Sequence, residues 1–288
     1  MSDLDREMGT FLILLRNKIR NVPISIAALL ALLPLVPVAL WSVSGSWRFP
    51  ALWPEAWSLR GFRHLAEPGT RFAEALATSL GIAVAVTAAS IVVALPAGIA
   101  IGAHRFRLRN LVILIVLLPI LVPPLAVTLG IHGAFIQLGL ADTAVGVILV
   151  HLVPAVPYAV LILASVFASR SGEIEATART LGAAPWQAFL HVTLPQIAPG
   201  LAVAALLAFL ISWSQYILTV IIGGGSVLTL AMLLFSAASG NDPVVTGALA
   251  VVFALPAVTA LLLVLRLLRP RVDRAPALDR VRWAPGSN

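Results

Sequence analysis

Long uncharged apolar stretches alternate with short charged ones along the chain. Six of the apolar stretches, approximately 22–41, 76–103, 111–135, 145–167, 197–222 and 244–265, contain no Asp, Glu, Lys or Arg. Each reaches the roughly 20 apolar residues that a helix needs to cross a bilayer core about 30 Å thick. Backbone polar groups find no water in lipid, and a helix satisfies them within one segment. The pattern therefore predicts an all-α membrane protein whose six transmembrane helices occupy 22–268. Prolines fall in these spans, among them Pro34, Pro37, Pro96, Pro119, Pro123, Pro124, Pro154, Pro157 and Pro256. Each removes a backbone donor, so kinked helices are expected.

Charge sets the orientation. The chain has 19 Lys and Arg residues. With the N-terminus inside, 15 of these face the cytoplasm: four in the segment 1–21, then Arg105, Arg107 and Arg109, Arg170 and Arg179, and Arg266 onward into the tail 269–288. The other four, Arg48, Arg60, Arg63 and Arg71, lie in the first outer loop. Cytoplasmic loops carry the Lys/Arg excess, so both termini are expected inside (N-in/C-in). The first span is too long for a leader's apolar region and reads as a retained helix. Trp41, Trp47, Trp53 and Trp57 in the first outer loop read as an interfacial belt.

Composition closes off other classes. Hydrophobic residues make up 60% and charged residues 11% of the chain, against about half and a quarter in soluble domains. The net charge of +7 follows from the clustered loop arginines. A nucleic-acid binder would instead carry its basic groups on a folded polar surface, so no nucleic acid is expected. There is no cysteine, which removes disulfides and thiolate chemistry. No metal-ligand spacing and no catalytic constellation is visible, so no cofactor and no enzymatic activity is expected.

The inner loop 168–195 carries the most information. Its acidic residues precede Arg179, as the helix dipole favours, and the pattern predicts a short helix over 173–181. Gly182 is placed to end it as a left-handed cap. Pro185 opens a second short helix over 185–191, bearing Trp186 and Phe189, and Pro195 is expected to stop it before span five.

The spacing in this loop resembles the membrane subunits of binding-protein-dependent ABC importers. That family's pattern runs Glu-Ala-Ala, three residues, Gly, nine residues, Ile or Val, one residue, Leu-Pro. Here it reads Ala176-Thr177-Ala178, Arg179-Thr180-Leu181, Gly182, nine residues, then Val192-Thr193-Leu194-Pro195. The family's glutamate position holds Ala176, with Glu175 one residue earlier, and the capping position before Pro185 holds Ala184. The resemblance implies that the second loop helix docks in a groove of a cytoplasmic ABC ATPase subunit. Glu175, Arg179, Gly182, Pro185, Trp186, Phe189, Leu194 and Pro195 would then be the coupling residues. It also implies a second permease subunit, identical or not, an extracytoplasmic solute-binding protein, and a place in the bacterial inner membrane. Span five and the outer loops look most like permeases of the polyamine, thiamine, iron and sulfate group. A small polar or cationic solute is expected, a polyamine first.

The residues themselves leave alternatives. A P-loop needs Gly-x-x-x-x-Gly-Lys-Ser/Thr; the glycines at 223–225 lack the spacing and the lysine and read as an outer turn, so any ATP hydrolysis belongs to another chain. An ion-coupled secondary transporter would need a titratable group or carbonyl site in the membrane. No span contains a carboxylate, and His132 and His151 read as neutral rings held by backbone groups. A membrane scaffold without cargo would not need the bent helix pair. Ser212, Gln215, Tyr216 and Thr219 fall on one face of a continuous span-five helix and are expected to line a pathway, with Tyr158 and His132 as additions. Inter-helix hydrogen bonding is the competing role for such residues.

Overall fold

The computed structural model describes residues 33–47 and 50–268. The expected cytoplasmic segments 1–21 and 269–288, and positions 22–32 of the first span, lie outside the described residues. The helices are α1 (Leu35–Ser42), α2 (Arg60–Leu65), α3 (Phe72–Ala103), α4 (Arg109–Leu121), α5 (Pro124–Gln137), α6 (Ala144–Ala168), α7 (Glu173–Thr180), α8 (Pro185–Ala188), α9 (Leu194–Trp213), α10 (Ile217–Gly223), α11 (Leu230–Ser239) and α12 (Pro243–Leu268). A π turn, Phe189–Thr193, joins α8 to α9. A small antiparallel hairpin pairs β1 (Ser44–Ser46) with β2 (Ala56–Trp57).

Four helical runs among the described residues are long and apolar enough to cross a membrane: Phe72–Ala103, Ala144–Ala168, Pro185–Trp213 and Pro243–Leu268. They correspond to the second, fourth, fifth and sixth expected spans. The third is not one helix. α4 and α5 meet at 95°, which corrects the continuous span expected over 111–135. The cause is local. Each residue before a proline is pushed out of the helical region. Val122 precedes Pro123 and Pro123 precedes Pro124, and both are extended, with ψ of 133° and 132°. By contrast Pro96, Pro154, Pro157 and Pro256 sit inside unbroken helices. The fifth span also departs from expectation: α9 ends at Trp213, and Ser214, Gln215 and Tyr216 leave the helix before α10 begins.

The described residues divide into two compact units, those up to Gly81 with Gly223–Pro256, and Ile82–Ile222 with those from Ala257. In the first unit, Arg60 binds Asp242 through two hydrogen bonds of 2.8 and 3.0 Å. The same carboxylate accepts from the Val244 and Val245 amides, so it caps α12 just ahead of Pro243. Arg71 binds Glu74 at 2.6 and 2.8 Å. Two of the four outer-loop arginines are therefore neutralised where they stand. The Ser79 hydroxyl accepts from the Leu230 amide at 2.8 Å and satisfies the start of α11.

In the second unit, α3 packs on α6 around buried Ala94, Ile101, Ala159, Val160 and Leu163. Gly98 and Gly102 are four apart and permit the approach. A Cβ at Gly98 would lie 2.7 Å from the Leu163 Cβ, and one at Gly102 2.8 Å from the Phe167 Cβ.

Asp242→Ala is expected to cost about 1 kcal/mol of stability through loss of the cap and the exposed ion pair. The Arg60 guanidinium beside Asp242 holds its carboxyl below the usual carboxylate range, with burial opposing. A depressed carboxyl stabilises the fold above its unfolded value, about pH 4, and that contribution disappears as pH falls through the folded value. Thermal unfolding in detergent checks this: the gap between wild type and variant is present at neutral pH and closes below about pH 4.

Candidate functional site

The inner loop folds into an elbow. α7 carries Glu173 and Glu175 in its first turn and Arg179 in its last, in accord with the helix dipole. It ends in a full Schellman motif. The Gly182 amide donates to the Arg179 carbonyl and the Ala183 amide to the Ala178 carbonyl, both at 3.1 Å. Gly182 adopts φ +92°, which a side chain with a Cβ resists. α8 then starts at Pro185. The serine cap that Ala184 cannot supply is replaced in part from the other side: the Gln187 Oε1 accepts from the Ala184 amide at 2.9 Å, half of a capping box.

The chain does not stop at Pro195, as the sequence suggested. α8, the π turn and α9 form one helical run from Pro185 to Trp213. Pro195 lies inside this run, directly after the π turn, and contributes no amide to it. The π turn directly before it widens the ladder where a proline ring would otherwise meet the carbonyl four residues back.

A polar tie fastens the elbow to this run. The Thr193 hydroxyl donates to Glu175 Oε2 at 2.6 Å. Arg170, just beyond α6, donates to Gln196 Oε1 at 3.0 Å and to Thr193 Oγ1 at 3.3 Å, and lies 3.7 Å from the Glu175 carboxylate. Arg170, Glu175, Arg179, His104, Phe189 and Thr193 help to line a cavity of about 470 Å³. On the outer surface of the elbow, Trp186 is 62% and Leu181 84% exposed. Phe189 is half-buried and turns toward the cavity.

At the far end of the run, the break at 214–216 is held from α6. His151 is 1% exposed. Its Nε2 is 3.0 Å from the Thr219 Oγ1, and its Nδ1 is 3.0 Å from the Ser212 Oγ. The Thr219 hydroxyl proton is committed to the Gln215 carbonyl at 3.0 Å, so Thr219 accepts from Nε2–H and Ser212 donates to Nδ1. The ring thus bridges α9 and α10 across the break. Its partners are hydroxyls, where backbone groups were expected.

The structure brings Glu175, Phe189 and Arg179 to one cavity, leaves Trp186, Pro185 and Pro195 exposed, and keeps Leu194 half-buried at the start of α9. Ser212 and Thr219 are buried on His151, while Gln215 and Tyr216 are half-buried in the non-helical break. The single helical face expected over these four residues does not exist, because the helix ends between them. Tyr158 is exposed on α6, and His132 on α5 has a buried Nδ1 with no hydrogen-bond partner among the described residues. Arg170 was missed as a site residue. Its signal was the position, one basic residue at the mouth of span four.

Residues 94–274 match the model of a family described as binding-protein-dependent transport system inner membrane component. Over 150 residues the chain is 33% identical to the trehalose transport system permease protein SugB of Mycobacterium tuberculosis (strain CDC 1551 / Oshkosh), covering 52% of this chain and 55% of that protein. It thus spans about half the length of that relative. It is 29% identical over 210 residues to the putrescine transport system permease protein PotI of Escherichia coli (strain K12), covering 70% and 74%. Its fold matches a chain in the crystal structure of a bacterial ABC transporter involved in the import of the acidic polysaccharide alginate. That match has a TM-score of 0.68 at 20% identity, over 92% of this chain and 98% of the other; at that identity it speaks for the fold alone.

Removing the bridge across the break should be costly. His151→Leu leaves the Ser212 and Thr219 hydroxyls buried without their ring partner and is expected to destabilise the protein by about 2 kcal/mol, read as a lowered unfolding midpoint in detergent. Ser212→Ala removes one hydrogen bond and should cost about half as much.

Proposed function

This chain belongs to the family of binding-protein-dependent transport system inner membrane components, and from that premise we propose how it is driven and what it moves. It is a multi-pass permease component of an ABC importer. In our reading six helices cross the membrane with both termini in the cytoplasm, and one chain forms half of the translocation pathway. A second permease subunit, identical or related, forms the other half. A separate ATPase hydrolyses ATP, and an extracytoplasmic binding protein delivers the solute.

The observation that carries this reading is the elbow. Trp186 and Leu181 project from a helix pair locked by the Gly182 cap, and that pair continues without interruption into a membrane helix. A large exposed aromatic flanked by apolar neighbours is a good anchor for a partner's groove. Force applied there reaches Trp213 along one continuous helical run. Glu175, one position before the family's glutamate, ties the elbow to Thr193 and serves the coupling role together with Arg179, Pro185, Phe189, Leu194 and Pro195.

The pathway is assigned to the break. Gln215 and Tyr216 lie where the backbone leaves the helix, and the Gln215 side-chain amide makes no hydrogen bond among the described residues. Ser212 and Thr219 act on them through His151, and Tyr158 and His132 are further lining residues. The cargo is a small polar solute, with a polyamine the first candidate; PotI is named for putrescine transport. Among the described spans the carboxylate present, Glu74 in the first turn of α3, is already paired with Arg71, so selection falls mainly to the binding protein.

Co-expression with the neighbouring genes and reconstitution in liposomes tests this. Trp186→Ala should lose the ATPase subunit on purification by tenfold or more, as expected for an anchor worth about 2 kcal/mol. Gly182→Val should keep membrane insertion and ATP hydrolysis while import falls several-fold. Gln215→Leu should lower uptake from a panel of putrescine, trehalose and molybdate with the ATPase still bound. Uptake on an ion gradient without any ATPase would overturn the proposal.

A further inference from the structure

The link between α3 and α4 alternates basic and apolar side chains: Arg105, Phe106, Arg107, Leu108, then Arg109 at the start of α4. Its five residues, His104 to Leu108, span at most about 17 Å, so it stays at the level where the two helices leave the membrane. Arg105 and Arg107 are exposed and make no ion pair or hydrogen bond among the described residues. Arg109 is fixed, its Nε donating to the Ile101 carbonyl at 2.8 Å, one of the open carbonyls in the last turn of α3. The three arginines, with His104 and Asn110, line a cavity of about 530 Å³. Next along the chain, Leu111, Leu114, Ile115 and Leu118 are exposed on α4 at the i, i+3, i+4, i+7 spacing of one helix face. Val112, Ile113 and Val116 meanwhile pack against the core of the second unit.

We propose that this link binds the phosphate headgroup of an anionic phospholipid whose acyl chain lies along Leu111, Leu114, Ile115 and Leu118. A cationic cavity with an apolar stripe running from it matches an anion joined to a hydrocarbon tail. Inorganic phosphate or an acidic protein surface would use the arginines and leave the stripe, Phe106 and Leu108 unused. Basic pockets beside membrane helices attract anionic headgroups by charge, and side chains of this kind bury their stems while the charged ends reach the interface.

The chain is purified in mild detergent with the subunits that accompany it, stripped of lipid, and titrated with phosphatidylglycerol or phosphatidylcholine. Native mass spectrometry counts the bound lipid. Wild type should prefer phosphatidylglycerol. The pair Arg105→Gln and Arg107→Gln should weaken that lipid by roughly fivefold for each arginine removed and leave phosphatidylcholine unchanged, while Arg105→Lys with Arg107→Lys keeps the preference. Leu114→Ser with Leu118→Ser should weaken both lipids. Equal binding of the two lipids by wild type would overturn the proposal. Displacement of phosphatidylglycerol by inorganic phosphate would make the cavity a plain anion site. Loss of a protein subunit from the glutamine pair, with lipid preference intact, would make it a protein interface.

Discussion

One continuous helical run, from Pro185 through the π turn to Trp213, governs the rest of the structure. A membrane helix must satisfy its own amides and carbonyls. Here the run continues past the membrane segment into the loop, so the elbow and the span form one solid body. Pro195, which carries no amide, lies within this run directly after the π turn. Everything placed at the ends of this rod then acquires a mechanical meaning. At one end stand Trp186, Leu181 and the Gly182 cap. At the other stands the break at 214–216, gripped by His151.

The two ends are held by different chemistry for a physical reason. The elbow faces water, where an exposed ion pair contributes little. Its tie therefore combines a half-buried Arg170 with the Glu175 carboxylate, the Thr193 hydroxyl and the Gln196 amide, and no single contact carries it. The break lies among apolar helices, where a buried polar group without a partner is expensive. Its tie is a closed relay of neutral groups, Ser212 to His151 to Thr219 to the Gln215 carbonyl, in which each donor meets an acceptor. Such a relay fixes the break and leaves the Gln215 side chain outside it.

Much of this was legible in the residues. Three spans, the second, fourth and sixth, emerged within a few positions of their helices because uncharged apolar length is a direct consequence of bilayer thickness. The elbow was legible because Gly182 and Pro185 have strong backbone preferences, and both act as those preferences dictate. The breaks were harder. Hydropathy averages over a window and does not record continuity, so Val122-Pro123-Pro124 and Ser214-Gln215-Tyr216 disappeared into apolar stretches. The first of these was nonetheless written in two successive pre-proline positions. The π turn has no local signature, since it compensates for a proline that follows it. Gly98 and Gly102 carried a small-residue spacing that names a close helix contact but not the partner, and the partner, α6, is distant in the sequence. The same distance hides the His151 relay, whose members are unremarkable polar residues until folding gathers them.

The chain has no native cysteine, so pairs of spin labels can be introduced cleanly at exposed Gln187 and Ser214, which lie about 40 Å apart along a continuous helix of this length, and at Gln187 and Ile217. Pulsed dipolar distances are then measured in the assembled transporter without nucleotide and with ATP bound. A rigid rod whose far end is held by the His151 relay predicts that both distances stay constant. A change in the 187–214 distance of several ångströms would contradict it, because the elbow would then be bending within the run that is meant to transmit its motion.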